Sequence, residues 1–205
     1  MNPLMMMCAI AAACLPMIPQ FHTSPAAAPA HAHIRPLQAP ANLFTSNAGR
    51  FSVALPDGYP AMSLEVSDVP SELGELKLYM YTSVDGEHGV CLVGYSDVKT
   101  ITMSDGVKQE MLEGAQEGAL SNMNATLVSE EEITLDGNPG RSIRFISETE
   151  EMNLRGRMDY YIVGRRMYQV GFIEIADGAL ESDGVSDYFA SFKLIPTAKK
   201  SKKRK

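Results

Sequence analysis

The chain has 205 residues, enough for one domain with tails or for two small domains. All 25 acidic residues lie between Asp57 and Asp187, and six of the 18 basic residues fall in the last seven positions, so Ala41 to Ile195 holds 11 basic residues and a net charge of −14. A field of that sign repels nucleic acid and anionic lipid, and no apolar run approaches the ~18 residues of a membrane span.

In chain order, the first element is the apolar run Leu4 to Ile18. Its length, and the small residues after it, predict an export signal over residues 1–20. The front end, Met1-Asn2-Pro3, carries no Lys or Arg. Two processing routes fit. Ala11-Ala12-Ala13-Cys14 resembles a bacterial lipobox, with Cys14 as the lipidated residue and Ala11 where that pattern prefers Leu. Alternatively, Ala28-Pro29-Ala30 and Ala30-His31-Ala32 offer ordinary Ala-x-Ala cleavage. Residues 21–47 read as an Ala/Pro/His-rich linker. Its pair His31 and His33 lacks the further ligands that a metal site needs.

The texture changes at Gly49, and a domain over residues 48–195 is predicted. Arg50 to Leu55 is a short strand, ended by Pro56-Asp57-Gly58. Ala61 to Val69 is a second strand. Glu75 to Thr82 alternates, with Leu76, Leu78 and Met80 on one face and Lys77, Tyr79 and Tyr81 on the other. Asp85-Gly86 marks a hairpin into Gly89 to Val98, which is apolar on both faces and therefore central. Ser104 to Met123 has helical period, with Met103, Val107, Met111, Ala115 and Leu120 on one stripe. Ala125 to Leu135, Arg141 to Ser147, Arg157 to Val163 and Met167 to Ile175 are further strands. Asp183 to Ser191 is a short helix, and Phe192 to Ile195 closes the domain before Pro196. Residues 196–205 form a basic tail.

Four segments in this order resemble the PsbP-like family. They are Gly49 to Pro56, Leu135 to Gly140, Val163 to Val170, and Tyr188 to Leu194. The resemblance implies an α+β fold: an antiparallel sheet flanked by helices on both faces, an α/β/α sandwich. It carries over no functional residue, because one scaffold hosts many functions.

Chemistry is thinly represented. The sequence has no G-x-S-x-G elbow, no phosphate loop and no zinc-type Cys/His spacing in the domain. His88 is the domain's single histidine, and Cys91 its single cysteine. Neither a catalytic group nor a cofactor or metal ligand is assigned. Carboxylates are the one concentrated resource. Glu130, Glu131, Glu132 and Asp136 lie on one arm of a hairpin, and Glu148, Glu150 and Glu151 lie beyond the other. The first group is the expected docking patch for a basic protein partner. The tail Lys199 to Lys205 holds six basic residues.

These features predict a non-catalytic, exported accessory or binding protein, in the periplasm, anchored to the envelope or outside the cell. The alternative is an intracellular Ran-binding-like adaptor with the basic tail as its nuclear signal. Intact-mass analysis of the full chain expressed in a bacterium decides between them. The expected product has lost Met1, and with lipid attached it begins at Cys14. A cytosolic product retaining Met1 would exclude export.

Overall fold

A computed structural model describes residues 42–69, 76–98, 102–148, 153–175 and 178–196. The expected lipidation residue Cys14, the linker histidines, Glu150, Glu151 and the basic tail lie outside the described residues. Ten strands and two helices follow in chain order: β1 (Leu43–Ser46), β2 (Phe51–Ala54), β3 (Ser63–Val69), β4 (Leu76–Asp85), β5 (Gly89–Asp97), α1 (Asp105–Asn122), β6 (Thr126–Leu135), β7 (Asn138–Glu148), β8 (Asn153–Val163), β9 (Arg166–Glu174), α2 (Asp183–Ser191) and β10 (Lys193–Leu194). A 3-10 turn, Ala179–Glu181, precedes α2.

Seven strands make one antiparallel sheet, in the order β3-β4-β5-β9-β8-β7-β6. Hairpins join most neighbours, and strand pairs joined this way are necessarily antiparallel. The centre is β5 and β9. Every residue of β9 is buried, as are eight of the nine in β5. Such strands need cover on each side.

One face is covered by α1, which packs on β7 and β8. Ser104 caps this helix by accepting a hydrogen bond from the Val107 amide at 3.3 Å. Met111, Leu112, Ala115 and Ala119 are its buried apolar side chains. Met103, Val107 and Leu120 of the expected stripe are only partly buried.

The other face corrects the expected α/β/α sandwich. Among the described residues the fold is mainly antiparallel sheet with two helices, and it is not a sheet flanked by helices on both faces. A second sheet, β1-β2-β10, supplies much of the second cover, with the nine-residue α2 against β2 and β9. Phe51, Val53, Tyr81, Tyr95, Tyr168, Phe172, Tyr188 and Phe192 fill the space between. The reason is physical: a twice-buried sheet demands cover without specifying helix or strand, and β1 and β10 are too short to show a period. β1 lies within the stretch expected to be linker.

One arginine fastens the small sheet to the large one. Arg166 makes a bidentate pair with Asp97, both contacts at 2.7 Å. Its remaining nitrogen donates to the carbonyls of Ala48 and Gly49, at 3.0 and 2.9 Å. Its guanidinium lies 4.3 Å above the Tyr95 ring. The Tyr168 hydroxyl also donates to Gly49 O, at 2.7 Å. These contacts hold the β1–β2 turn, where Arg50 adopts a left-handed φ of 58°. Arg166 is buried while the Asp97 side chain is 42% exposed, so the main loss on removing Arg166 is the charged donor to the Ala48 and Gly49 carbonyls. Arg166→Ala is therefore expected to cost about 2 kcal/mol of stability, and Arg166→Lys to recover only part, because an ammonium cannot make the planar fork. Urea unfolding of the full chain measures both.

Candidate functional site

Among the described residues, the sheet ends on two unpaired edges, β3 and β6. β6 is the candidate docking edge. It is ten residues long, and none of its side chains is fully buried. Among the described residues no strand pairs with its outer side, which makes the edge a template for another strand. The pairing with β7 shifts between Leu127 and Ser129, so Val128 sits at an irregularity, 59% exposed. A bulge bends and twists an edge locally.

The fold separates the four carboxylates read as one patch. Glu130 lies opposite Ile143 and Glu132 opposite Arg141, on the side that carries α1. Glu131 lies opposite Ser142, whose hydroxyl donates to Asp159 on the other side, at 2.6 Å. Consecutive strand residues point to opposite faces. Asp136 is taken up by the turn. Asp136 and Gly137 have φ of 51° and 77°, the signature of a two-residue hairpin connection, and Asn138 Nδ2 donates to Leu135 O at 2.9 Å.

On the helix side the acids surround a single arginine. Arg141 donates to Gln116 Oε1 at 3.1 Å and lies 3.7 Å from Glu113 and 3.8 Å from Glu130. Gln116 Nε2 donates to Glu130 Oε2 at 2.8 Å. Arg141 is therefore shared between two half-exposed carboxylates, and Glu130 is partly neutralised. The sequence patch had left out Glu113. Its spacing of three from Gln116 on a helix was the available signal, but only the tertiary fold brings α1 to β6.

The lone histidine sits in the β4–β5 hairpin. His88 Nδ1 is 2.9 Å from Asp85 Oδ2, and the His88 side chain is 59% exposed. Burial works to raise the Asp85 carboxyl, but the Glu87 amide and the His88 ring outweigh it, so its pKa lies below the usual value. The His88 backbone bonds the Asp85 carbonyl and the Ile175 amide, so its hydrogen bonds serve the hairpin. No three His, Cys, Asp or Glu side chains among the described residues converge as a metal site would require. An open basin of about 510 Å³ lies at the start of α1, between Lys108, Asn138 and Arg165, with Ile162 in its lining.

Cys91 is wholly buried on β5. Burial pushes its thiol well above its ordinary value, and the Asp85 charge adds to the effect. The other charges that the fold buries have partners. Asp159 accepts from Ser142, from the Arg157 fork at 2.9 and 2.8 Å, and from Tyr161. Glu174 accepts the amides of Gly178 and Leu180, both at 2.9 Å.

No family model matches the chain, and no curated protein does. Solved structures similar to it include these two. One is a Pseudomonas aeruginosa protein of unknown function, 12% identical, covering 76% of this chain and 96% of its own, with a TM-score of 0.37. The other is the cyanobacterial PsbP of Synechocystis sp. PCC 6803, 8% identical, covering 80% and 98%, with a TM-score of 0.46. Overlaps of this size leave the family of the chain unassigned.

A thiol that is both buried and held protonated is a poor nucleophile. Cys91 is expected to resist iodoacetamide in the folded full chain and to react once urea unfolds it. Mass spectrometry at the Cys91 peptide reads the difference, and fast labelling in the folded state would contradict the buried assignment.

Proposed function

We propose that the chain is an exported, non-catalytic binding protein that presents its β6 edge to a basic, extended segment of a partner protein. The observation that carries this reading is the combination on one strand: an outer side that no strand among the described residues pairs with, an exposed Val128, and the carboxylates Glu130, Glu131 and Glu132. Each alone is ordinary. Together they supply the parts of strand addition, with the backbone giving affinity and alternate side chains giving selection. The net charge of −14 steers a cationic segment toward the domain. The split of the glutamates favours a strand with basic residues on both faces, since Glu131 lies on one side and Glu130 and Glu132 on the other.

The export part of the proposal rests on the apolar N-terminal run and on Cys14 with its lipobox-like neighbours. It suits an accessory protein held at the envelope by a lipid.

The docking edge is tested with a synthetic peptide repeating Val-Val-Lys-Lys, whose consecutive lysines fall on opposite faces of a strand, followed by fluorescence anisotropy at fixed salt. The wild-type chain is expected to bind it, and the pair Glu131→Lys with Glu132→Lys to weaken binding tenfold or more. Val128→Pro leaves the charge in place while removing one backbone donor and stiffening the edge. It should weaken binding as well. Equal binding by all three chains would exclude the β6 edge, and a loss in the charge variant alone would mean attraction without strand pairing.

A further inference from the structure

Three oxygen atoms on the α1 side of the large sheet have no protein partner among the described residues: Ser96 Oγ, the Tyr160 hydroxyl and Gln169 Oε1. Their residues are 1%, 0% and 2% exposed. The register places their residues on one face of three adjacent strands. Tyr160 lies directly opposite Gln169 across β8 and β9, and Gly94 lies opposite Gln169 across β5 and β9. Ser96 is two residues along from Gly94 and therefore on the same face. The Gln169 side chain extends over Gly94, where a Cβ would lie 2.4 Å from Nε2. Its Nε2 then reaches Met80 Sδ at 3.7 Å, which leaves Oε1 without a donor.

The chemistry of the three groups narrows the occupant. Two hydroxyls can each donate or accept, and the amide oxygen only accepts. A metal ion would want carboxylates, and Asp159 lies on the opposite face, bound to Ser142 and Arg157. An anion would want several N–H donors. An apolar ligand would leave all three oxygens unpaired. A water molecule can donate to Gln169 Oε1 and exchange hydrogen bonds with the hydroxyls, and buried waters typically make about three such bonds. Immobilising a water costs less than leaving buried polar groups unpaired.

We infer that Ser96, Tyr160 and Gln169 form an internal water-binding site at the centre of the large sheet, under α1. The water fixes the Gln169 amide over Gly94 and joins β5, β8 and β9 by a polar link across the apolar core.

Tyr160→Phe deletes one oxygen and little else. A hydrated site predicts that this change lowers the folding equilibrium constant of the full chain about fivefold or more. A dry site predicts the reverse, because an unpaired hydroxyl is removed. Combining it with Ser96→Ala should cost less than the product of the single losses, since both give up the same water. Oxygen-17 relaxation dispersion of wild-type protein should show a long-lived water that Tyr160→Phe with Ser96→Ala removes. A stabilised Tyr160→Phe chain, or a dispersion unchanged by the double substitution, would overturn the inference.

Discussion

Arg166 stands where the two sheets meet, and much of the second cover hangs on it. The large sheet cannot leave the aromatic face of β5 and β9 open to water. Its cover includes four residues of β1, four of β2 and two of β10, lengths that are not stable alone. Short strands of that kind stay in place only when docking supplies what their own ladder lacks. Arg166 does so at one point, by bonding Asp97 at the end of β5 and the carbonyls of Ala48 and Gly49 in the turn. The Asp97 pair and the Tyr95 ring hold its charge, so the cation can be buried without being left unpaired. Tyr81 and Ser46 add a second fastening on the same turn, with their oxygens 2.8 Å apart.

The polar residues of β9 also set its register. Arg166 begins the strand and Glu174 ends it, both on the aromatic side, and Gln169 lies between them on the other. A slip of one residue would move each to the opposite face. The two charges would then lose Asp97 and the amides of the 3-10 turn together. Apolar side chains such as Val170 and Ile173 tolerate exchange of faces better than these three do. Specificity on this strand therefore comes from a few buried polar contacts, and most of the stability comes from packing around them.

Much of the large sheet was legible because its signals are local. The alternation of Leu76, Leu78 and Met80 with Tyr79 and Tyr81 survives as two faces with two separate cores. The Asp136-Gly137 and Gly164-Arg165 turns fall where the chain reverses. The second cover was not legible in the same way. Leu43 to Ser46 sits beside an Ala/Pro/His-rich stretch, and four residues show no period. Cover by a sheet and cover by a helix leave the same trace on β5 and β9, namely apolar residues on both sides. The candidate site was half legible for a related reason. Glu130 to Glu132 were visible as a run, but their division between faces follows from pairing, and Glu113 and Arg141 join Glu130 only through tertiary structure.

The two open edges of the sheet differ in how they meet other strands. β3 presents Leu64 and Val66, 51% and 48% exposed, on the side of Tyr79 and Tyr81. β6 presents glutamates and a bulged Val128. Two β6 edges brought together would set two runs of three glutamates against one another, and like charges directly opposite are destabilising. That repulsion guards the edge against pairing with copies of itself without closing its backbone. A strand bearing Lys or Arg meets no such barrier, and the charge that excludes self-association then favours the foreign strand. One feature thus accounts for a long exposed edge that resists aggregation and for the kind of partner it would admit.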